Sequence, residues 1–395
     1  QWMDATSTSL LHYMTRRLEG YPFLLIATLR LARGADLPDA LPLSSPEASN
    51  LSSEIRLQPL SDEQIGEILG RAAPDPVHTA ALQLAQRLSG GNPFLALQVF
   101  RAALGSTEWA AEASRWDPLT DVRLSKVLAI RLKGLSGRAL AILRATAILE
   151  RLASPGAVAG VAGLSIREAA DASSDLYGRG LIHDGDGRLG FVNDVVREYV
   201  YSDMTALERT ALHLSAARFL DVETATNAAT LARHYYLGED RSLAYRHAMR
   251  AAREAKASAG QMEAAAMANL AVQNCQGDEE HLSALHLLSE AELETAQLAK
   301  AKEHLNEILR LDDSLSARRR IDVKLKLVAA AGGEANWSDA ERTLSEIERD
   351  VRLIPETDLR VEFRLEALSW RLKAANRLNE VQRARRIRDR IERLS

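Results

Sequence analysis

The chain has 395 residues, 46% of them hydrophobic, 26% charged and only 5% aromatic; this suits two or three globular domains with substantial cores and an Ala/Leu-rich lean towards helix. A net charge of -4 gives no overall pull towards nucleic acid or anionic membrane. The single cysteine, Cys275, excludes an internal disulfide framework and a cysteine zinc cluster and fits a reducing compartment, so the expected location is the cytoplasm.

Residues 5–19 carry Leu10, Leu11, Met14 and Leu18 on one helical face and stop at Gly20 and Pro22. The run YPFLLIATLR that follows has the length and composition of a strand buried on both faces, and is too short to cross a bilayer. Helix then buried strand is an α/β order. Residues 33–50 are rich in Pro, Ser and Asp and read as loop, and EIRLQPL at 54–60 reads as one more short strand. Ser61 and Gln64 form a capping box that starts a helix, and the next helix ends at the glycines of SGGNPF, leaving Pro93 at the first position of another.

Helical periodicity then continues almost to the C-terminus. The exception is LIHDGDGRLGFV at 181–192, where Asp-Gly stands between two short apolar runs as in a β-hairpin. Helices precede it, one with a Ser165/Glu168 capping box, and NDVVREYVY follows; helices with one hairpin predict a winged-helix domain. GAVAGVAG at 156–163 lacks the Lys-Ser/Thr of a phosphate loop and reads as an Ala/Gly helix near a turn. Beyond about residue 204 Ala-rich helical pairs recur. Ala264, Ala301 and Ala340 lie 37 and 39 residues apart (301 minus 264, 340 minus 301), near the roughly 34-residue period of tetratricopeptide repeats. Small residues at such positions let paired helices approach closely, and each pair needs a neighbour to cover its apolar face.

These pieces, in this order, resemble the STAND-class NTPases: AAA-like ATPase switches with winged-helix and helical-repeat regions, as in large LuxR-type ATP-binding transcriptional regulators. QWMDATS, with Trp2, Met3 and Asp4, resembles the tail of a Walker B segment. LLIATLR is similar to the sensor strand ending in Arg, SGGNPFLALQVF to the Gly-x-Pro helix start, and LGFVNDVVREYVY to the winged-helix motif usually written Phe-x-His-Asp. The resemblance covers residues 1–256 motif by motif; beyond them it rests on repeat architecture. It implies a mainly α chain with a remnant of an α/β P-loop NTPase domain at 1–60, a helical lid at 61–114, a winged-helix domain at 115–204 and a TPR-like α-solenoid at 205–395. It also implies nucleotide-binding roles for Arg30, Thr28, Pro93, Asn193 and Asp194, with Asp4 beside the Walker B segment.

The departures are as specific. No G-x-x-x-x-G-K-[ST] loop and no acidic pair for Mg²⁺ occurs in the sequence, so the triphosphate lacks its main electrostatic clamp. The chain as given is expected neither to bind ATP tightly nor to hydrolyse it; ATP or ADP with Mg²⁺ belongs to the intact protein that the resemblance implies. Asn193 stands where the family has His, and Asn can donate a hydrogen bond but carry no charge.

Each candidate also has an ordinary structural role. Arg30 at a strand end suits a γ-phosphate, or is a solvated side chain. Thr28 is an ordinary strand residue. Pro93 packs against adenine by resemblance, or is only a helix N1 proline. Asp4 suits a helix cap better than a metal ligand, and Asn193 and Asp194 suit the start of the helix after the hairpin.

The nine histidines show no metal spacing, the nearest pair, His281 and His286, being five apart. The last stretch, RLNEVQRARRIRDRIERLS, has seven Arg against three acids, and fits the solvated face of a terminal repeat helix better than a nucleic-acid patch. The leading expectation is therefore part of an ATP/ADP-switched signalling ATPase, a regulator whose helical repeats take a protein or small-molecule effector. Self-association is a further option, DNA would be met only through another domain, and no membrane contact is expected. The alternative is a non-catalytic TPR-like interaction scaffold with a degenerate ATPase remnant. Direct DNA binding is disfavoured, because the would-be recognition helix SIREAADASSDLYGR carries no excess of basic residues.

Overall fold

The computed structural model describes residues 57–72, 79–105, 123–222, 226–311 and 316–394, with a few isolated positions before them. The protein is mainly α: among the described residues eighteen α-helices accompany one two-stranded sheet. Two compact units divide at Thr205/Ala206. Among the described residues no helix is long and apolar enough to cross a membrane.

In the first unit, α1 (Asp62–Ala72) begins at the predicted capping box: Gln64 N donates to Ser61 Oγ at 3.3 Å and Ser61 N to Gln64 Oε1 at 2.9 Å. Helices α2 (Thr79–Ser89) and α3 (Pro93–Gly105) close a core of Ile65, Leu69, Leu84, Leu88, Val99 and Phe100, to which α4 (Arg123–Lys133) adds Val127. Next come α5 (Gly137–Leu149), capped by Ser136, a 3₁₀ turn at Glu150–Leu152, and α6 (Pro155–Ala162), which ends at Gly163 with φ 69°. GAVAGVAG is thus a helix and its C-terminal turn. Both halves of the Ser165/Glu168 box are formed at the start of α7 (Ile166–Gly178). The hairpin pairs β1 (Ile182–Gly185) with β2 (Arg188–Phe191), in register from Ile182 opposite Phe191 to Gly185 opposite Arg188. Asp186 and Gly187 turn it with φ 53° and 73°, the two positive values of a type I′ turn. Helix α8 (Asp194–Asp203) follows.

Two expectations near the start are corrected. Of the expected buried strand FLLIATL, Ile26 and Thr28 lie outside regular structure and Ile26 is 78% exposed; its other five residues lie outside the described residues. In EIRLQPL, residues 57–60 form no strand and Leu57 is 92% exposed. An apolar run becomes a strand only when neighbours take up its backbone groups and cover its faces. Among the described residues no strand pairs with either segment.

The second unit is a stack of antiparallel helix pairs. It runs α9 (Ala206–Val222), α10 (Ala228–Leu237), α11 (Arg241–Ala257), α12 (Gln261–Asn274), α13 (Asp278–Glu294), α14 (Leu298–Leu311), α15 (Ala317–Gly333), α16 (Trp337–Val351), α17 (Thr357–Arg377) and α18 (Val381–Glu392). Each helix packs on the next, with further contacts between α11 and α13 and between α15 and α17. The cores overlap along the stack, so that Val272 of α12 packs both with Ala264 and Leu288 and with Leu285 and Leu305.

One three-residue turn recurs five times, centred on Glu239, Ala259, Ala296, Ala335 and Asn379, all at φ 57–60°. Each centre donates three residues back and its successor five back, as in Ala296 N to Leu293 O (3.2 Å) and Gln297 N to Glu292 O (2.8 Å). This is the Schellman closure, here with residues other than Gly in the left-handed position. The fifth residue after each centre is Ala: Ala244, Ala264, Ala301, Ala340 and Ala384, none more than 6% exposed. The predicted alanines, Ala264, Ala301 and Ala340, are thus three of five buried positions just inside the helix that follows each turn.

Candidate functional site

The start of α3 is locked from both sides. Gly90 and Gly91 have φ 57° and 78°, and a Cβ on Gly91 would lie 2.6 Å from the Leu60 carbonyl oxygen, so glycine is required there. Leu60 N donates to Gly91 O at 2.9 Å, Gly91 N to the Ser89 hydroxyl at 3.3 Å, and Leu95 N to Asn92 Oδ1 at 3.0 Å. Pro93 consequently stands at N1 on a fixed backbone with its ring exposed. Such a ring is a rigid, pre-oriented apolar surface.

Asn193 caps α8, its Oδ1 accepting from Val195 N at 2.8 Å. That acceptor is engaged, and the amide NH₂ is the group left for other work. Asp194 is exposed, 3.9 Å from Arg197 Nε, while Arg197 Nη1 reaches Glu150 Oε1 at 2.9 Å. The helices that Pro93 and Asn193 begin both pack on α4. Thr28 is exposed in irregular backbone, and Arg30 and Asp4 lie outside the described residues.

The second unit holds two polar clusters that the sequence does not announce. His213 of α9 and His234 of α10 are 5% and 8% exposed, with their Nδ1 atoms 3.0 Å apart. Burial, reinforced for His213 by the neighbouring imidazole and for His234 by Arg233, pushes each down to about 4. Both are therefore neutral at pH 7, one donating and one accepting. Beside them Tyr235 stacks on His247 and donates to Asp221 Oδ2 at 2.9 Å; burial and that bond push its phenol up to about 12.

Further along, Cys275 Sγ lies 3.3 Å from His281 Nδ1, and His281 Nε2 lies 3.2 Å from Glu307 Oε1. The order thiol, imidazole, carboxylate has the form of a nucleophile relay. Burial pushes the Cys275 thiol up, however, and its proton is directed to the Val272 carbonyl at 3.0 Å. The group rests as a thiol tying α12 to α13 and α14, with no activated nucleophile. Among the described residues no group of three or more His, Cys, Asp or Glu could hold a metal ion.

The geometry thus defines a mainly helical protein with a locked Gly-Gly-Asn-Pro helix start, a hairpin followed by an Asn-capped helix, and a stack of helical repeats. No protein-family model and no curated protein matches the chain. Among solved structures it is similar to a Signal Transduction ATPase with Numerous Domains (STAND) protein with a tetratricopeptide repeat sensor from Pyrococcus horikoshii. The identity is 16%, the TM-score 0.46, and the match covers 88% of this chain and 50% of that one. The chain spans half the length of that protein.

Proposed function

We propose that this chain is the lid, winged-helix and sensor part of an ATP/ADP-switched signalling ATPase of the STAND type, working in the cytoplasm as a transcriptional regulator. The observation that carries the reading is the locked start of α3. Two left-handed glycines, one of them with no room for a Cβ, and a capped turn present an exposed Pro93 ring, an arrangement suited to stacking on a nucleotide base. Asn193, at the start of the helix after the hairpin, is the proposed second contact, through its amide NH₂. Arg30 and Thr28 are the proposed phosphate-sensing residues, with Asp194 and Asp4 in supporting positions.

In this mechanism ATP and ADP favour different arrangements of a two-state switch, and an effector on the helical repeats biases the same equilibrium. The proposed ligand is ATP or ADP with Mg²⁺ in the intact protein; the 395 residues themselves carry no phosphate loop. The effector is a protein or small molecule, with self-association of the repeats as a further mode of control. DNA is met through a separate domain.

The test is nucleotide titration of the protein encoded by the full reading frame, followed by thermal unfolding. ADP should stabilise it, as a ligand that binds only the folded state must, and Pro93→Ala should weaken that effect about tenfold, the loss of about 1.4 kcal/mol of stacking. Absence of G-x-x-x-x-G-K-[ST] upstream, together with no stabilisation by ATP or ADP, would refute the ATPase reading. That outcome would leave the second reading, a repeat scaffold for a protein partner, which the overlapping cores of the second unit favour.

A further inference from the structure

Three arginines from separate helices meet in the first unit at residues 179–180. Arg131 of α4 is only 8% exposed. Its Nη2 donates to the Arg179 carbonyl, whereas its Nη1 is shielded from water and has no hydrogen-bond partner. Arg179, the C-cap of α7, donates from Nη2 to Gly134 O at 2.8 Å and from Nη1 to Arg131 O at 3.5 Å, and pairs through Nε with Asp175 at 2.8 Å. Arg101 of α3 is exposed, and its guanidinium lies against Gly180, in space that a Cβ there would take. Gly180 has φ 58°.

Reciprocal capping of carbonyls accounts for Arg179 and for half of Arg131. It does not account for Nη1, because a buried donor without an acceptor costs about 1–3 kcal/mol, and more when it is charged. Nor does it account for the charge. Burial first, and then Arg101 and Arg179, hold Arg131 down at about 10, and among the described residues no carboxylate offsets them. Three guanidiniums and the one carboxylate of Asp175 leave a local charge of about +2 in a partly desolvated site, where like charges repel far more strongly than in water.

We propose that Arg101, Arg131 and Arg179 form a binding site for a tetrahedral oxyanion, a phosphate or phosphoryl group. The unpartnered Arg131 Nη1 and the exposed Arg101 guanidinium beside Gly180 offer forked, planar donors, and the excess positive charge suits a phosphate dianion. Arg131 Nη1 is the buried, pre-oriented donor, Arg101 the accessible one that closes over the anion, and Arg179 fixes Arg131 by accepting from its Nη2 and donating to its carbonyl. This site is independent of the Pro93 reading, since it can be filled by free phosphate.

The experiment is thermal unfolding of the 395-residue chain at constant ionic strength and pH 7.5, with chloride replaced stepwise by inorganic phosphate and, in parallel arms, by ATP or ADP. Wild type should show a saturable rise in Tm. Arg101→Ala, a change at an exposed side chain, should fold normally and bind about tenfold more weakly, the loss of one charge-assisted contact. Arg131→Met should abolish the response while matching or exceeding wild-type stability in chloride. A response to phosphate alone identifies the free anion as the ligand, and a stronger response to nucleotides identifies a phosphoryl group. An equal response in chloride and phosphate, or one that Arg101→Ala leaves unchanged, overturns the site.

Discussion

The buried His213–His234 pair makes the stability of the second unit depend on pH in a calculable way. Both imidazoles are held near 4 in the folded protein against an ordinary value of 6.5. A depressed value means that the unfolded chain binds the proton first, so the stability from these sites is complete above 6.5 and falls as the pH is lowered towards 4. At pH 5 the folded sites are still largely neutral, and the loss is set almost entirely by the unfolded chain: about 2 kcal/mol for each histidine relative to pH 7.5, and about 4 kcal/mol for the pair. The figure changes little if the folded value is lower than 4, because a site that does not protonate contributes nothing further at pH 5. Urea unfolding monitored by far-ultraviolet dichroism at the two pH values measures it, with His213→Leu/His234→Leu as the reference. Burial also lowers His247 and His286, so the informative quantity is the difference in pH sensitivity between wild type and variant. The double variant should be less sensitive by about 4 kcal/mol. Equal sensitivity in the two proteins, or an NMR signal assigned to His213 or His234 that titrates near 6.5 in the folded wild type, would refute the reasoning.

Three further outcomes can be checked by chemical denaturation. Ala259, Ala296 and Ala335 are exposed and sit in the left-handed region, so replacing any one by Gly should stabilise by about 0.5–1 kcal/mol after the added freedom of the unfolded chain is subtracted. Ala301→Leu or Ala340→Leu, at sites no more than 1% exposed, should destabilise by about 1–3 kcal/mol through overpacking, whereas the same change at exposed Ala299 should be near neutral. Lys324 Nζ lies 2.8 Å from Asp350 and 3.0 Å from Glu346, with the Lys324 and Asp350 side chains each 12% exposed; Lys324→Met should cost about 3 kcal/mol, and adding Asp350→Leu should recover most of it.

What the sequence conveyed depended on whether the signal was local. Ser61/Gln64, Ser165/Glu168 and Asp186-Gly187 each complete their geometry within four residues, and all three form as read. Pro93 was legible for the same reason. At Ile26 and Thr28, the described residues of FLLIATL, the reading failed because a buried strand is defined by its neighbours, and apolar content alone does not supply them. The repeated turn was hidden because Glu239, Ala259, Ala296, Ala335 and Asn379 are not glycines, and only the alanines at 264, 301 and 340 betrayed it. Ala244 and Ala384 escaped because their spacings to the next in line, 20 and 44 residues (264 minus 244, 384 minus 340), depart from the period. The polar clusters were out of reach altogether. His213 and His234 are 21 residues apart, and Arg101, Arg131 and Arg179 are separated by 30 and 48; no helical or strand periodicity links such positions.

The five identical turns divide labour along the second unit. In each, the residue that finishes one helix's hydrogen bonding is also the residue that begins the next, so no spare backbone remains between the two. Helices α10, α11 and α12 are coupled in this way as a triplet, and α13–α14, α15–α16 and α17–α18 as doublets. Length varies elsewhere: α13 and α15 have 17 residues against 21 in α17, and α12, α14, α16 and α18 have 14, 14, 15 and 12. A force acting on the array therefore meets helices joined with no spare backbone within each group, and longer connections such as 275–277 and 352–356 stand between groups.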